Sequence, residues 1–187
     1  MSSDSTYSAV HERMLVVQAQ MRDHAAFHEL VRRYERRVLY YIRRMVGDGE
    51  ESLDVAQEVW LLVFRRLASL DAPEAFRVWL YKIAHDVTVT HLRRRKRPAA
   101  LPLEEITTTD QADDWNELEA LEQADLVHRT LEQLSPPHRE ALTLRFLEGL
   151  EVAEIAEVVG CSPGTVKSRL HYAKHALREQ LQGLRHV

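Results

Sequence analysis

Apolar residues recur at intervals of three and four along most of this chain, strand-like alternation is scarce, and the rhythm stops over residues 98–125. Spacings of three and four gather side chains on one stripe of a helix, so the chain is expected to be all-α. The interruption divides it. Pro98, Pro102 and the run Thr107 to Thr109 disfavour a continuing helix, and from Glu104 to Asp125 acids accumulate without one Lys or Arg. The reading is two small helical domains, residues 25–97 and 126–187, with an N-terminal extension, residues 1–24, and an extended acidic linker, residues 98–125.

Composition narrows the function. A hydrophobic share of 45% over 187 residues is enough for packed cores. The net charge of −4 argues against a uniformly basic nucleic-acid binder, but the charge is blocked: Arg93, Arg94, Arg95, Lys96 and Arg97 form one cationic run directly before the acidic linker. A single cysteine, Cys161, closes no intrachain disulfide and has no second thiol beside it for a metal. The Ser-rich start lacks the basic and apolar blocks of a secretory signal, and no uninterrupted apolar run is long enough to span a bilayer, so a cytoplasmic protein without membrane insertion is expected. Enzyme chemistry has little support. His24 and His28 lie one helical turn apart, as do His171 and His175, but neither pair carries the acid of a His-Glu-x-x-His metal site. No nucleophile elbow or Gly-rich phosphate loop is present. No catalytic residue, metal or cofactor is expected.

Within the first part, Val10, Met14, Val17 and Met21 fall roughly on one face of a short amphipathic stretch. Phe27, Leu30, Val31, Tyr34, Val38, Ile42 and Met45 then predict a helix from about Ala25 to Val46, ended by Gly47. A second helix, near Glu51 to Ser69, places Leu53, Ala56, Trp60, Val63, Phe64 and Leu67 on an apolar face. Asp54, Gln57, Glu58, Leu61 and Arg65 share another. That second set suits either a solvated surface or a dock for a basic helical partner. After a turn at Leu70 to Pro73, Phe76, Trp79, Leu80, Ile83, Ala84, Val87 and His91 continue at helical spacing into the basic run. A solvated tail is one reading of that run. The company of Trp79 and Tyr81 supports another, in which cations and aromatics hold phosphates and unstacked bases.

The second part reads as four short helices, Leu126 to Leu134, His138 to Glu148, Val152 to Val159 and Pro163 to about Leu181. Gly160-Cys161-Ser162-Pro163 joins the last two tightly: glycine suits the left-handed position after a helix, serine the N-cap and proline the first helical residue. Ile155, Ala156, Val159, Val166, Leu170, Ala173 and Leu177 can close on one another, leaving Thr165, Lys167, Ser168, Arg169, His171 and Lys174 facing outward. This is the layout of a helix-turn-helix whose second helix enters the major groove.

Taken together, the two halves resemble the extracytoplasmic-function sigma factors of the sigma-70 family. The strings that carry the resemblance run from Ala26 to Arg37, Asp54 to Trp60, Phe76 to Ala84 with Leu92 to Arg95, Leu131 to Glu140, and Gly164 to Leu170. The resemblance implies that the chain binds core RNA polymerase and directs promoter-specific initiation. In that family pattern residues 25–97 are region 2 and residues 126–187 region 4. Glu51, Asp54, Gln57, Glu58 and Leu61 would meet the coiled coil of the beta-prime subunit, and the beta flap is a second polymerase contact. Phe76, Arg77, Trp79, Tyr81, Lys82, Asp86, Arg93, Arg94 and Arg95 would capture and melt the minus-ten element. Ser162, Gly164, Thr165, Lys167, Ser168, Arg169, His171 and Lys174 would read the minus-35 element. Members are commonly held by an anti-sigma factor, and the acidic linker would imitate nucleic acid in a basic channel.

The chain departs from the family pattern in two places. Leu53 stands where a further carboxylate is usual before the Gln-Glu pair, which implies weaker polymerase binding. His85-Asp86 replaces an Arg-Asn pair, and an acid there repels phosphate, which implies altered minus-ten preference. The competing reading is a helix-turn-helix regulator acting without polymerase, since response regulators share the Glu-Ile-Ala and Thr-Val-Lys pattern. Such a regulator would normally carry a receiver or ligand-sensing domain, and no βα alternation appears before residue 100.

Overall fold

A computed structural model describes residues 2–95 and 131–184. The linker, the end of the basic run at Lys96 and Arg97, and most of the helix expected from Leu126 to Leu134 lie outside the described residues. Among those described there is no strand. The order is α1 (Ser2–Gln20), α2 (His24–Val46), α3 (Glu50–Arg66) and α4 (Phe76–Arg95), followed by α5 (Pro136–Leu142), α6 (Val152–Val159) and α7 (Pro163–Leu184).

The first four helices make one bundle around α2, whose inward stripe is Ala26, Leu30, Tyr34, Val38, Tyr41, Ile42 and Met45. Asp23 caps α2, its carboxylate accepting from the backbone N–H of Ala25 at 2.8 Å and of Ala26 at 3.1 Å. Helix α1 belongs to this bundle rather than leading into it. It buries Leu15, Val16 and Ala19, while Val10, Met14, Val17 and Met21 are exposed. Two apolar faces therefore lie on opposite sides of α1, and the expected face is the outer one. Inside, Gln20 donates to the carbonyls of Leu67 and Leu70 at 3.1 and 2.6 Å, which ties α1 to the short 3₁₀ turn Leu67–Ser69 after α3.

The buried face of α3 also differs from the expected one. Ser52, Val55, Val59 and Val63 point inward, whereas Leu53 and Phe64 are 51% and 38% exposed. Small and β-branched side chains let α3 approach α2 and α4 closely, and the bulkier residues stay at the margin. There Phe27 meets Phe64 edge-on at 5.1 Å and Trp60 at 6.5 Å between ring centroids.

In the second part, Leu142, Leu144, Leu150, Ile155, Val158, Val166, Leu170 and Ala173 are buried. Gly160 takes a left-handed conformation with φ 64°, which a residue with a Cβ adopts at a cost, and ends α6. Ser162 then caps α7 by accepting from the Thr165 N–H at 3.1 Å. Helix α5 starts at Pro136, two residues before the expected His138, and gives way to a π-helical turn over Thr143–Leu147. That turn shifts the register. Glu140 and Glu148 are eight residues apart, and a straight α-helix would separate them by roughly 80° about its axis. The extra residue of the π turn removes about 90° and lines them up.

Candidate nucleic-acid interface

Helix α4 carries the residues expected to hold a melted strand, and the structure divides them. Lys82, Asp86, Arg93, Arg94 and Arg95 are exposed. Arg95 and His91 both reach Glu51 Oε2, at 3.3 and 3.2 Å. Glu51 therefore turns toward the end of α4 and away from the rest of its expected polymerase-binding group. Asp54, Gln57, Glu58 and Leu61 remain exposed together on α3, joined by Leu53. Trp79 is half-buried against Phe76, at 6.2 Å between centroids. Phe76 and Tyr81 are fully buried, and Arg77 is half-buried. Expectations of an exposed stacking ring at Phe76 and Tyr81 are corrected: Phe76 packs edge-on against Tyr34 inside the bundle, and Tyr81 is covered by the second domain.

That cover is polar and converges on two carboxylates. Glu148, 2% exposed, accepts from the Tyr81 hydroxyl and lies 3.0 Å from Arg37 Nε. Glu140, 5% exposed, accepts from the Tyr41 hydroxyl at 2.5 Å and sits 2.7 Å from His85 Nδ1. Arg37 also donates to the backbone carbonyl of Leu147 at 3.2 Å. At the rim, Arg77 pairs with Glu154 at 3.5 Å and Arg44 with Glu132 at 3.1 Å. Among the described residues, every side-chain partner of Glu140 and Glu148 comes from α2 or α4. The sequence reading missed these carboxylates. Their signal is an acid on either side of the stretch Ala141 to Leu147, which is apolar apart from Thr143 and Arg145.

Burial, reinforced by the neighbouring carboxylates, pushes the Tyr41 and Tyr81 phenols well above their usual range, and burial beside Glu12 does the same for Tyr34. Tyr40 is raised by burial as well. Each stays a hydroxyl donor, and the folded chain holds protons that the unfolded chain releases from about pH 10. Stability from these sites is therefore complete below about pH 10 and falls as the pH climbs past it. An alkaline absorbance titration should show these phenolates only as helical circular dichroism is lost. Full tyrosine ionisation with helicity intact would contradict the burial.

On the second domain, Ser162, Gly164, Thr165, Lys167, Ser168, His171 and Lys174 are exposed along α7 and its turn, and Arg169 is partly so. Lys174 reaches over the Phe146 ring at 5.0 Å. The π turn leaves Phe146 and Leu147 exposed beside it. Among the described residues, no group of His, Cys, Asp and Glu is arranged to hold a metal, and no helix is long and apolar enough to cross a membrane.

A helix-turn-helix behind a bundle that joins an exposed acid, amide and leucine face to an arginine-ended helix is the layout expected of a promoter-recognition subunit, and sequence comparison supplies the class. Residues 30–98 match the family described as Sigma-70 region 2, and residues 124–177 match Sigma-70, region 4. The chain belongs to the sigma-70 family of RNA polymerase sigma factors, in its extracytoplasmic-function group. It is similar to the RNA polymerase sigma-H factor of Pseudomonas aeruginosa, at 38% identity over 186 residues covering 92% of this chain and 95% of the relative. It is also similar to the ECF RNA polymerase sigma-E factor of Escherichia coli K12, at 33% identity over 183 residues covering 92% and 95%. Among solved structures, CnrH in complex with the cytosolic domain of CnrY matches with a TM-score of 0.68 and 25% identity over 92% of this chain and 98% of that one. The protein is a transcription initiation factor and not an enzyme, and a regulator working without polymerase is set aside.

Proposed function

We propose how the residues divide the work of initiation. Residues 25–97 act as region 2 and residues 126–187 as region 4, in the cytoplasm. The α3 face of Asp54, Gln57, Glu58 and Leu61, with Glu51 at its edge, docks on the beta-prime coiled coil of core polymerase. The observation that carries this reading is an exposed leucine among uncovered carboxylates and an amide, a combination suited to a basic helical partner. Leu53 lies beside this face. It replaces a charge with an apolar contact, so the expected weakening of polymerase binding is partly offset. The exposed Phe146 and Leu147 offer the beta flap an apolar surface. Polymerase supplies the chemistry, and this chain supplies promoter choice and offsets the cost of unstacking, a few kcal/mol per flipped base.

On α4 the exposed Lys82, Arg93, Arg94 and Arg95 neutralise the phosphates of the opened minus-ten strand, with the half-buried Arg77 and Trp79 holding bases and the buried Phe76 and Tyr81 supporting them from within. Asp86, exposed beside them, sets the minus-ten preference by repelling phosphate. On α7, Lys167, Arg169, His171 and Lys174 contact the minus-35 duplex, while Ser162, Gly164, Thr165 and Ser168 bring the helix N-terminus to the backbone. An anti-sigma factor completes the proposed partners.

Run-off transcription with purified core polymerase tests the assignment. Lys167→Ala with Arg169→Ala should cut product at least about tenfold and flatten the salt dependence of duplex binding by about one logarithmic slope per lost phosphate contact. Duplex binding by the unaltered chain without any run-off product would contradict the polymerase role.

A further inference from the structure

Helix α1 has two apolar faces, and the bundle uses one. Leu15, Val16 and Ala19 close on the interior, while Tyr7, Val10, Met14, Val17 and Met21 stand between 40% and 79% exposed. The intervals between these five are three, four, three and four. At about 100° per residue they stay within an arc of about 80°, centred opposite the buried three. Met21 directly follows the last residue of α1, and its N–H donates to the Val17 carbonyl at 3.2 Å, so the stripe runs on through it. An exposed three-four repeat of apolar residues is the pattern by which one helix packs along another.

The stripe has the size of an interface. Whole side chains of this kind offer on the order of 150–250 Å², so the exposed fractions leave about 500 Å² of apolar surface in water. Two such stripes laid together would hide about 1,000 Å², the lower bound for a specific association.

The order of residues points to the partner. From either end the stripe reads large, Val, Met, Val, large, with Tyr7 and Met21 as its two ends. A twofold interface between identical copies must be complementary to itself, and a stripe symmetrical about its middle residue meets that condition when the second copy runs antiparallel. Met14 then faces the partner's Met14, Val10 the partner's Val17, and Tyr7 the partner's Met21, a thioether against an aromatic ring. The antiparallel sense also sets opposite ends of the two helix dipoles side by side. A foreign helix would require no such symmetry.

We propose that α1 is a self-association helix, through which two free copies of this chain pair antiparallel along Tyr7, Val10, Met14, Val17 and Met21.

The flanks suit this register. His11 and Gln18 are exposed along one side of the stripe, and each meets the other across the pair, imidazole against amide. Arg13 borders the opposite side with Glu74 at 3.8 Å, so the two guanidinium groups that approach across the axis each bring a carboxylate. The buried side of α1 is untouched, including the hydrogen bonds from Gln20 to Leu67 and Leu70. Pairing uses no residue assigned to polymerase or DNA. With an interface of this size the dissociation constant is expected on the order of 10 μM, so pairs form where the chain accumulates and part on dilution.

Sedimentation equilibrium of the full chain from about 1 to 100 μM, without polymerase, tests the pairing. The average mass should climb from that of one chain toward that of two. Met14→Glu sets two carboxylates face to face and should weaken association at least about tenfold, with circular dichroism and the thermal midpoint unchanged because the position is exposed. Val10→Glu and Val17→Lys should each weaken it alone. Mixed in equal amounts, these two variants should associate more tightly than either by itself, because the introduced carboxylate and ammonium then oppose one another.

A chain that stays single at about 100 μM overturns the proposal. So does association that Met14→Glu leaves intact, which would assign it to another surface. Failure of the mixed variants to recover overturns the antiparallel register. A single chain whose Met14→Glu variant binds core polymerase less tightly would make the stripe a polymerase contact instead.

Discussion

Changing Leu61 to Asp is expected to weaken binding to core polymerase by about 30-fold or more, the size associated with truncating a central interface residue. Leu61 is 49% exposed in the free chain and lies one helical turn beyond Gln57 and two beyond Leu53 on α3. An apolar side chain left in water among Asp54, Gln57 and Glu58 contributes nothing to the fold of the bundle, whose α3 contacts come from Val55, Val59 and Val63. The substitution should therefore leave the unfolding midpoint nearly unchanged, since exposed changes away from packing features stay within about 0.5 kcal/mol. Fluorescence titration of core polymerase gives the affinity and a thermal melt gives the control. A variant that binds core normally would place the polymerase dock elsewhere.

The second large effect is on stability. Leu30→Ala removes a fully buried side chain from the centre of the α2 stripe, and such a cavity costs about 2–5 kcal/mol. Domains of this size are stable by about 5–15 kcal/mol in total, so one substitution should consume a large part of the margin. Urea unfolding should show a lower midpoint with a similar slope. A midpoint shifted by less than the equivalent of about 1 kcal/mol would mean that the bundle collapses around the gap or that Leu30 is not central to it.

Where interior and surface alternate in helical rhythm, sequence was enough. Leu30, Tyr34, Val38 and Ile42 all point inward as their spacing requires, and Gly160 and Ser162 make the turn that their conformational preferences suggest. The spacing misled where a helix had two apolar stripes to choose between. On α3, bulk suggested Leu53 and Phe64 for the interior, but close approach of three helices selected Ser52, Val55 and Val59. On α1 the inner and outer stripes are nearly equal in apolar content, and periodicity cannot rank them. Side chains whose place depends on the other domain were least legible. Tyr81 looks like a surface aromatic on the helix that ends in the cationic run, but its ring packs edge-on against Tyr41 and its hydroxyl meets Glu148, 67 residues away in sequence. Residue patterns within one helix carry no information about such a partner.

The pairing of Arg37 and Tyr81 with Glu148 joins positions 111 and 67 residues apart. A change at any one of the three is expected to cost stability unless the others change with it. A lineage that loses the acid leaves a cation and a phenol facing one another, and a lineage that loses the cation strands a charge out of water. Inheritance should therefore treat the two halves of this protein as a matched set: grafting the promoter-reading half of a relative onto this polymerase-binding half would exchange more than promoter preference.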